Sequence, residues 1–145
     1  MSESVETVLN LLAIPAPRRR KIHSIMDLES LVQEGLPGRA LITLQTALEI
    51  PVARFVEIVG ISARSFSNLG KNRNLDLVVS DRLARIARIA AKCEEVFGSR
   101  QKAVHWLHEP LIALGGKTPF ERMLTETGAA RVEDILVSIE HGVYV

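Results

Sequence analysis

The chain has 145 residues, of which 47% are hydrophobic and 24% are charged, and its formal net charge is +1. This size fits one compact domain or two small helical units, and we favour two units. The single cysteine, Cys93, excludes an intramolecular disulfide and is expected to be a small core residue rather than a nucleophile. No segment approaches the length of a membrane span. The basic run after residue 17 follows the first apolar segment, whereas a secretory signal has its basic residues first. We therefore expect a cytoplasmic protein.

Helical periodicity dominates the chain, and alternating strand-like segments are nearly absent, so the sequence predicts an all-α fold. The first 34 residues contain two short predicted helices, one ending at Leu12 and one that Asp27 caps and that ends at Val32. Between them, the basic residues 18–21 follow two prolines, which is typical of an exposed linker, although the cluster also suits contact with nucleic acid.

Two further predicted helices each have one apolar face. The first lies in the segment LPGRALITLQTALEI, and the second covers about residues 81–97. The stretch 54–92 carries eight Lys and Arg against three acidic residues, which permits a polyanionic partner but also suits the solvated ends of amphipathic helices. The apolar positions recur at intervals of three and four residues: Leu41, Leu44 and Leu48 in the first helix, and Leu83, Ile86, Ala90, Cys93 and Phe97 in the second.

The segment VARFVEIVGISARSFSNLGKNRNL has the pattern helix, tight turn, helix. Gly60 supplies the left-handed turn conformation, and apolar residues on both sides, such as Phe55 and Phe66, fall where they pack the two helices together. Val56 departs from the usual helix-turn-helix, which has a small residue four positions before the turn glycine. We predict a helix-turn-helix unit over residues 35–98; the structural alternative is a plain αα-hairpin inside a bundle.

The second helix of this unit presents polar side chains that suit the major groove of DNA. Arg pairs with guanine and Asn with adenine, whereas hydroxyl groups and Lys reach phosphates. One such unit binds DNA weakly, so a homodimer is expected. The predicted DNA-binding residues are Ser62, Arg64, Ser65, Ser67, Asn68, Lys71 and Arg73.

The last third of the chain, from residue 99, is predicted to form short helices around a small core. The first of these helices has Trp106 on its inward face. Residues 118–121 form a predicted capping box for the next helix, with proline at its first position. We expect Gly128 to end that helix and the final helix to begin at about Val132.

No arrangement of residues in the sequence supports catalysis. The segment GGKT resembles the end of a phosphate-binding loop, but Leu111 stands where that motif requires glycine. His105 and His108 lie one helical turn apart, yet only Glu109 accompanies them, so they are expected to be ordinary surface histidines rather than metal ligands. We therefore predict that the protein is not an enzyme and has neither a metal site nor a cofactor.

The sequence finishes on three apolar residues, 143–145, directly after Gly142. Short free segments rarely bury enough area to offset the entropy of ordering them, so a solvated tail is normally polar. We expect this tail to dock, either into a partner or back onto its own bundle near Trp106 or Leu124.

Several of these segments together resemble the Xre/MbcA/ParS antitoxin family, with similarity from Gly35 to Val145. The helix-turn-helix part, which includes VGISARSFSNL, is generic. The more specific part is C-terminal, where the following residues keep the family's order: Trp106, Leu107, Pro110, the segment GKTP at 116–119, Gly128, and residues 142–144.

The resemblance implies an antitoxin encoded beside a RES-domain toxin that consumes NAD. It implies an N-terminal extension at 1–34, a helix-turn-helix unit for DNA binding and dimerisation at 35–98, and a toxin-binding domain at 99–145. In this family the C-terminal helix and tail approach the toxin's active site, and the pair represses its own promoter by binding operator DNA. The alternative is a stand-alone transcription regulator whose C-terminal module only dimerises or senses a ligand. The implied toxin-binding residues are Leu136, Ile139, His141, Gly142, Val143, Tyr144 and Val145.

Overall fold

The computed structural model describes residues 3–69 and 74–142. The described residues form ten α-helices, which confirms the predicted all-α fold. In chain order the helices are α1 (Glu3–Leu11), α2 (Ala16–Arg19), α3 (Leu28–Glu34), α4 (Arg39–Ala47), α5 (Val52–Val59), α6 (Ala63–Leu69), α7 (Leu77–Phe97), α8 (Arg100–Leu107), α9 (Pro119–Arg122) and α10 (Glu126–Glu140). Five residues with a predicted role lie outside the described residues, namely Lys71, Arg73, Val143, Tyr144 and Val145.

The chain divides into two compact units, residues 1–91 and 92–145, and the division falls within α7. In the first unit, α4 packs against α1 and α6, and α5 packs against α6. The predicted apolar face of α4 is confirmed, because Leu41, Leu44 and Leu48 are all buried. Among the described residues, no helix is both long and apolar enough to cross a membrane.

The first helices of the chain lie close to their predicted positions. Helix α1 ends at Leu11, and α3 follows Asp27 directly. The predicted side-chain cap of Asp27 on α3 is wrong, because its carboxylate accepts hydrogen bonds from the backbone N–H groups of His23 at 2.8 Å and Ser24 at 3.1 Å. Asp27 therefore stabilises the short 3-10 turn Ile25–Asp27 that leads into α3.

The prediction of an exposed linker at residues 18–21 holds for Arg20 and Lys21, which are exposed and non-helical, but is wrong for the other two residues. Arg18 and Arg19 belong to the short helix α2 and are both half-buried. Arg19 Nε donates to the Ile14 carbonyl at 2.6 Å, and the Arg18 guanidinium donates to the Gly35 carbonyl at 2.9 Å. Carbonyls at and just beyond helix C-termini lack intrahelical donors, so these arginines serve the fold of the first unit.

Helix α7 begins at Leu77, one turn before the predicted start near residue 81. The Asp76 carboxylate accepts a hydrogen bond from Val79 N–H at 2.9 Å and so caps the helix. Leu77 and Val78 are more than half exposed, so the first turn lacks the apolar periodicity on which the prediction depended.

The second unit packs short helices around Trp106, as predicted. Ser99 caps α8 by accepting a hydrogen bond from Lys102 N–H at 3.1 Å. The Trp106 side chain is buried, and its ring centroid lies 5.3 Å from that of Phe97. Thr118 accepts from Glu121 N–H at 3.1 Å, which confirms the predicted start of α9 at Pro119.

The predicted helix boundary at Gly128 is wrong. Helix α9 has only four residues, and α10 begins at Glu126, where the Thr125 hydroxyl accepts from Gly128 N–H at 3.0 Å. Gly128 therefore lies inside the first turn of α10. A Cβ atom at this position would collide with the Arg122 carbonyl oxygen, so glycine here allows a close approach of two backbone segments rather than ending a helix.

Candidate functional site

The segment from α5 to α6 has the geometry of a helix, a tight turn and a second helix. Gly60 adopts the left-handed conformation, with φ of 83° and ψ of 35°. The Val56 carbonyl accepts from Gly60 N–H at 2.8 Å and from Ile61 N–H at 3.0 Å, which closes the end of α5. Phe55 and Phe66 meet edge to face with ring centroids 5.9 Å apart. The predicted order of helix, glycine turn and helix is therefore confirmed.

Arg82 of α7 completes this turn. Its guanidinium donates to the Val59 carbonyl at 2.9 Å and lies so close to Gly60 that a Cβ atom there would collide with it. Arg82 is one of the eight basic residues in the stretch 54–92 that suited either a polyanionic partner or the solvated ends of amphipathic helices. It is half-buried in the structure, so it acts as a helix cap and contributes less to a polyanion-binding surface than its charge suggests.

The predicted DNA-binding residues within the described part of the chain lie on or next to α6. Arg64, Ser67 and Asn68 are exposed and follow the three- and four-residue spacing of one helical face. Ser62 is exposed but has a structural role that the sequence reasoning missed, because its hydroxyl accepts from Ser65 N–H at 3.0 Å and caps α6. Ser65 is half-buried, so the exposed face is narrower than predicted.

The second unit contains an open apolar groove of about 380 Å³. One wall comes from α10 and the other from the end of α8 and the loop that follows it. Ile112, at the edge of this groove, is 99% exposed. The groove is lined by Trp106, Glu109, Pro110, Leu111, Ile112, Ala113, Ile135 and Ile139.

Sequence reasoning missed Ile112 as a candidate binding residue. It lies in the 3-10 turn Ile112–Leu114, outside any helix with apolar periodicity. The only signal in the sequence is an apolar residue placed between two turn formers, Pro110 and Gly115. That signal does not tell an exposed side chain from a buried one, and Leu114 in the same turn is in fact buried.

The residues considered for catalysis or metal binding have ordinary contacts. His105 forms an exposed ion pair with Glu109 at 3.5 Å when protonated, and the His108 ring packs on Phe120 with centroids 4.6 Å apart. Cys93 is fully buried, and burial raises the pKa of its thiol far above the usual range, which disfavours the reactive thiolate. Within the described residues, no group of three His, Cys, Asp or Glu is placed to hold a metal ion.

Comparison with known proteins assigns both units to one family. Residues 27–88 match the antitoxin Xre-like helix-turn-helix domain, and residues 93–142 match the antitoxin Xre/MbcA/ParS C-terminal toxin-binding domain. A curated relative from Photorhabdus laumondii, named "Antitoxin Xre", is 32% identical over 119 residues, which are 80% of each chain. This chain belongs to the Xre/MbcA/ParS antitoxin family.

Two further relatives of this antitoxin also carry the name "Antitoxin Xre". The Pseudomonas putida protein is 31% identical over 133 residues, which cover 91% of this chain and 79% of the relative. The Yersinia enterocolitica protein is 35% identical over 100 residues, which cover 66% of each chain. The match to the helix-turn-helix domain begins at residue 27, so the family resemblance extends further toward the N-terminus than Gly35.

The antitoxin's two domains differ in charge. The matched toxin-binding residues, 93–142, contain five Lys and Arg against eight Asp and Glu, whereas the matched helix-turn-helix residues, 27–88, contain eight Lys and Arg against seven Asp and Glu. Within the helix-turn-helix domain the basic residues are concentrated from residue 54 onward, which suits a polyanion, and an acidic domain suits a basic surface on a partner.

The residues implied for toxin binding in this antitoxin differ in accessibility. Leu136 is fully buried, so it supports the core of the second unit and is out of reach of a partner. Ile139 is half-buried and lines the groove, and His141 and Gly142 are exposed at the end of α10. The accessible described part of the predicted set is therefore the last turn of α10 and the residues directly after it.

The helix-turn-helix unit also has an apolar depression of about 430 Å³. Met26 at its edge is 84% exposed. Glu29, Asp81 and Arg88 line the same depression and form no ion pair within the part of the chain that the structure describes. The remaining lining residues are Ile25, Leu28, Val32 and Ala84.

Proposed function

We propose that this antitoxin binds and inhibits a RES-domain toxin that is encoded beside it and consumes NAD, and that it represses its own operon by binding operator DNA. The observation that carries the proposal is the presence in one chain of both matched domains, the helix-turn-helix domain at 27–88 and the toxin-binding domain at 93–142. Such a protein acts by binding and needs no catalytic group of its own.

Inhibition is proposed to occur at the toxin's active site. The exposed end of α10, with Ile139, His141 and Gly142, leads directly to residues 143–145, and these are proposed to enter the cleft that accepts NAD. A cleft that binds an anionic dinucleotide favours basic residues, and the excess of acidic residues in 93–142 complements such a surface. Tyr144 supplies a flat ring and a hydroxyl group, which suit a site for a ring-bearing ligand.

The direct test is co-expression with the neighbouring gene product, followed by purification and an assay of NAD consumption. We expect the two proteins to copurify and NAD loss to stop when the antitoxin is added at stoichiometric concentration. A stand-alone regulator would neither copurify nor change the rate of NAD loss. NAD loss caused by the antitoxin alone would contradict its role as the inhibitor.

The role of Tyr144 is tested by Tyr144→Ala. Truncating an interface aromatic that is a hot spot costs about 2 kcal/mol, so the concentration for half inhibition should rise about 30-fold. Val137→Ala is the control, because Val137 is an exposed apolar residue of α10 that does not line the groove. Equal inhibition by wild type and Tyr144→Ala would exclude the tyrosine from the interface.

Operator binding is proposed for α6, with Arg64, Ser67 and Asn68 facing the major groove and Lys71 and Arg73 reaching phosphates. Ser62 and Ser65 are proposed to contact the DNA backbone at the start of this helix. Two observations support this assignment: α6 has an exposed polar face, and hydrogen bonds close the Gly60 turn that precedes α6. The proposal extends the helix-turn-helix match to particular residues.

Arg64→Ala should weaken operator binding while toxin inhibition stays unchanged. Loss of a contact to a base edge costs about 1–3 kcal/mol, which is roughly a 5-fold to 150-fold loss of affinity. Lys102→Ala removes one exposed positive charge from the other unit and is the control. Affinity should fall steeply with added salt, because phosphate contacts release counterions. A flat salt response, or equal loss of both activities in Arg64→Ala, would favour a purely structural role.

The DNA-binding form is proposed to be a homodimer, because one helix-turn-helix unit reads only one half-site. The depression next to Met26 fits a second copy, since its lining combines apolar residues, among them the exposed methionine, with both acidic and basic residues. A two-fold axis places each surface against itself, so Met26 of one copy can fill the cavity of the other and Arg88 can face Glu29.

Met26→Asp should shift the protein to monomer in sedimentation experiments, because it places an unpaired charge in an apolar contact. Ile42→Asp is the matched control, since Ile42 is a 46% exposed residue of the same unit that does not line the depression. A dimer of unchanged strength in Met26→Asp would exclude this surface.

A further inference from the structure

Ile112 is an isoleucine that is 99% exposed on a folded domain. A single exposed apolar side chain is ordinary, but Ile112 lies beside the other apolar residues of the groove, and contiguous exposed apolar surface marks interaction sites. Other side chains of the same loop do not all point into solvent. Leu114, two residues later, is buried in the same turn.

Backbone hydrogen bonds fix the loop that carries Ile112. Leu111 N–H donates to the Lys117 carbonyl at 3.1 Å, and Gly116 N–H donates back to the Leu111 carbonyl at 2.9 Å. The Ile112 carbonyl itself accepts from Gly115 N–H at 2.9 Å. The side chain is therefore presented by a closed loop, and a partner that binds it pays little entropy for ordering the backbone.

The groove beside Ile112 offers an apolar receiving surface. Ile139 is half-buried and lies one turn after Ile135 on α10, whereas Ile135 and Trp106 are themselves buried. Among the described lining residues, Glu109 is the only charged one. The half-buried apolar residues of the lining, Leu111, Ala113 and Ile139, suit an apolar side chain of a partner.

We propose that Ile112 and this groove bind an apolar side chain on the surface of the toxin, outside the toxin's active site. The inference rests on the proposed function and names a second contact in addition to the tail. Two observations select the toxin as the occupant. The groove lies entirely within the matched toxin-binding domain, 93–142, and Ile139 in its wall lies three residues before Gly142, where the segment proposed to enter the active site begins.

The proposed roles of the two contacts differ. The tail blocks the active site, whereas the groove supplies affinity and selects the cognate toxin. A homologous toxin that lacks an apolar side chain at the matching surface position would leave Ile112 in water and the groove unfilled. Ile112 is thus a proposed determinant of specificity that acts without touching the NAD site.

The test compares Ile112→Ser with Leu124→Ser in binding to the purified neighbouring gene product, measured by calorimetry. Both residues are exposed apolar side chains of the second unit, and Leu124, 54% exposed, does not line the groove. We expect the Kd to rise about 10-fold to 150-fold for Ile112→Ser, which corresponds to ~1.5–3 kcal/mol for burial of an isoleucine. The Kd of Leu124→Ser should change less than about 3-fold.

A thermal melt of the isolated antitoxin separates this interface role from a structural one. Ile112→Ser should melt at the wild-type temperature, because the side chain makes almost no contact that excludes water. A lowered melting temperature would show that another part of the same chain covers Ile112, and it would overturn the proposal. An unchanged Kd for Ile112→Ser would overturn it as well.

The variant Tyr144→Ala distinguishes failure of this inference from failure of the proposed function. If Ile112→Ser binds like wild type while Tyr144→Ala loses inhibition, the groove is not a toxin contact but the antitoxin function stands. If the wild-type protein itself fails to bind the neighbouring gene product, the proposed function fails.

Discussion

Gly60 is required in the helix-turn-helix for two separate reasons. Its φ of 83° lies in the left-handed region, which costs an L-residue about 1–2 kcal/mol. A Cβ atom would also displace the Arg82 guanidinium from the Val59 carbonyl, and a lost hydrogen bond of this kind costs about 1 kcal/mol. We expect Gly60→Ala to lower the free energy of unfolding by about 2–3 kcal/mol in urea titrations followed by circular dichroism.

Gly115→Ala is the control for this substitution. Gly115 has a φ of 68°, but no atom lies within 4 Å of the position that a Cβ would take. Only the conformational cost of about 1–2 kcal/mol should appear there. Equal losses at the two positions would show that the Arg82 guanidinium moves aside from an alanine Cβ without loss of stability.

Arginines were the residues whose roles the sequence indicated least well. Arg18, Arg19 and Arg82 all donate to backbone carbonyls at or just beyond the ends of helices, yet sequence patterns placed them in a linker or on a solvated face. A long side chain reaches a carbonyl 17 or 23 residues away, and helical periodicity carries no information about that distance. Arg64 shows the opposite outcome, since it is exposed as predicted.

At the level of the helix, the start of α10 depends on a close backbone approach at Gly128. Alanine normally stabilises a helix relative to glycine by about 0.5–1 kcal/mol. Here the added Cβ would meet the Arg122 carbonyl, so we expect Gly128→Ala to destabilise the second unit by about 1–3 kcal/mol. The fluorescence of the single tryptophan, Trp106, reports unfolding of this unit. An increase in stability would contradict the close approach.

Lys92 and Glu140 join α7 to α10 within the second unit. Lys92 Nζ lies 2.8 Å and 2.7 Å from the two Glu140 carboxylate oxygens. This hydrogen bond is the main reason why the pKa of Glu140 is lowered and the pKa of Lys92 is raised. Stability from Glu140 is present above its unfolded pKa, near 4.5, and is lost as the pH falls through the lower folded pKa. Stability from Lys92 is present below about 10.5 and is lost as the pH rises through the higher folded pKa.

Glu140→Gln should therefore melt below wild type at neutral pH and converge with it in acid. The melting temperature measured from pH 2 to pH 8 tests this expectation, with the range set by the usual carboxylate pKa. Glu95→Gln is the control, because Glu95 lies 4.0 Å from Lys92 and forms the weaker pair. A constant difference between wild type and Glu140→Gln at every pH would exclude the ion pair as its cause.

For the whole molecule, local patterns were sufficient to predict the fold class, the Gly60 turn and the start of α9. Each of these depends on residues that are neighbours in sequence. The start of α10 is also set locally, by the Thr125 cap on Gly128 N–H, but it was not predicted because glycine is typical of a helix end. The exposure of Ile112 was not predictable, because it depends on how the loop after α8 folds. The residue types at 110–116 indicate a turn but do not determine which side of it faces solvent.

The same division applies to the candidate sites. The sequence indicated the polar face of α6 correctly for Arg64, Ser67 and Asn68, which are exposed, but it did not show that Ser62 caps the helix. In the second unit the family resemblance implied Leu136, which is buried, because a resemblance points to a helix without showing which of its residues the unit itself covers. The groove and Ile112 became visible only when the loop after α8 was placed beside α10.

NAD consumption by the toxin, measured with the full antitoxin and with a variant that lacks residues 143–145, tests the proposed inhibition most directly. We expect the full chain to stop NAD loss at stoichiometric concentration. The shortened chain should still bind the toxin through the groove but leave NAD loss close to the uninhibited rate. Complete inhibition by the shortened chain at the same concentration would show that residues 143–145 do not block the active site.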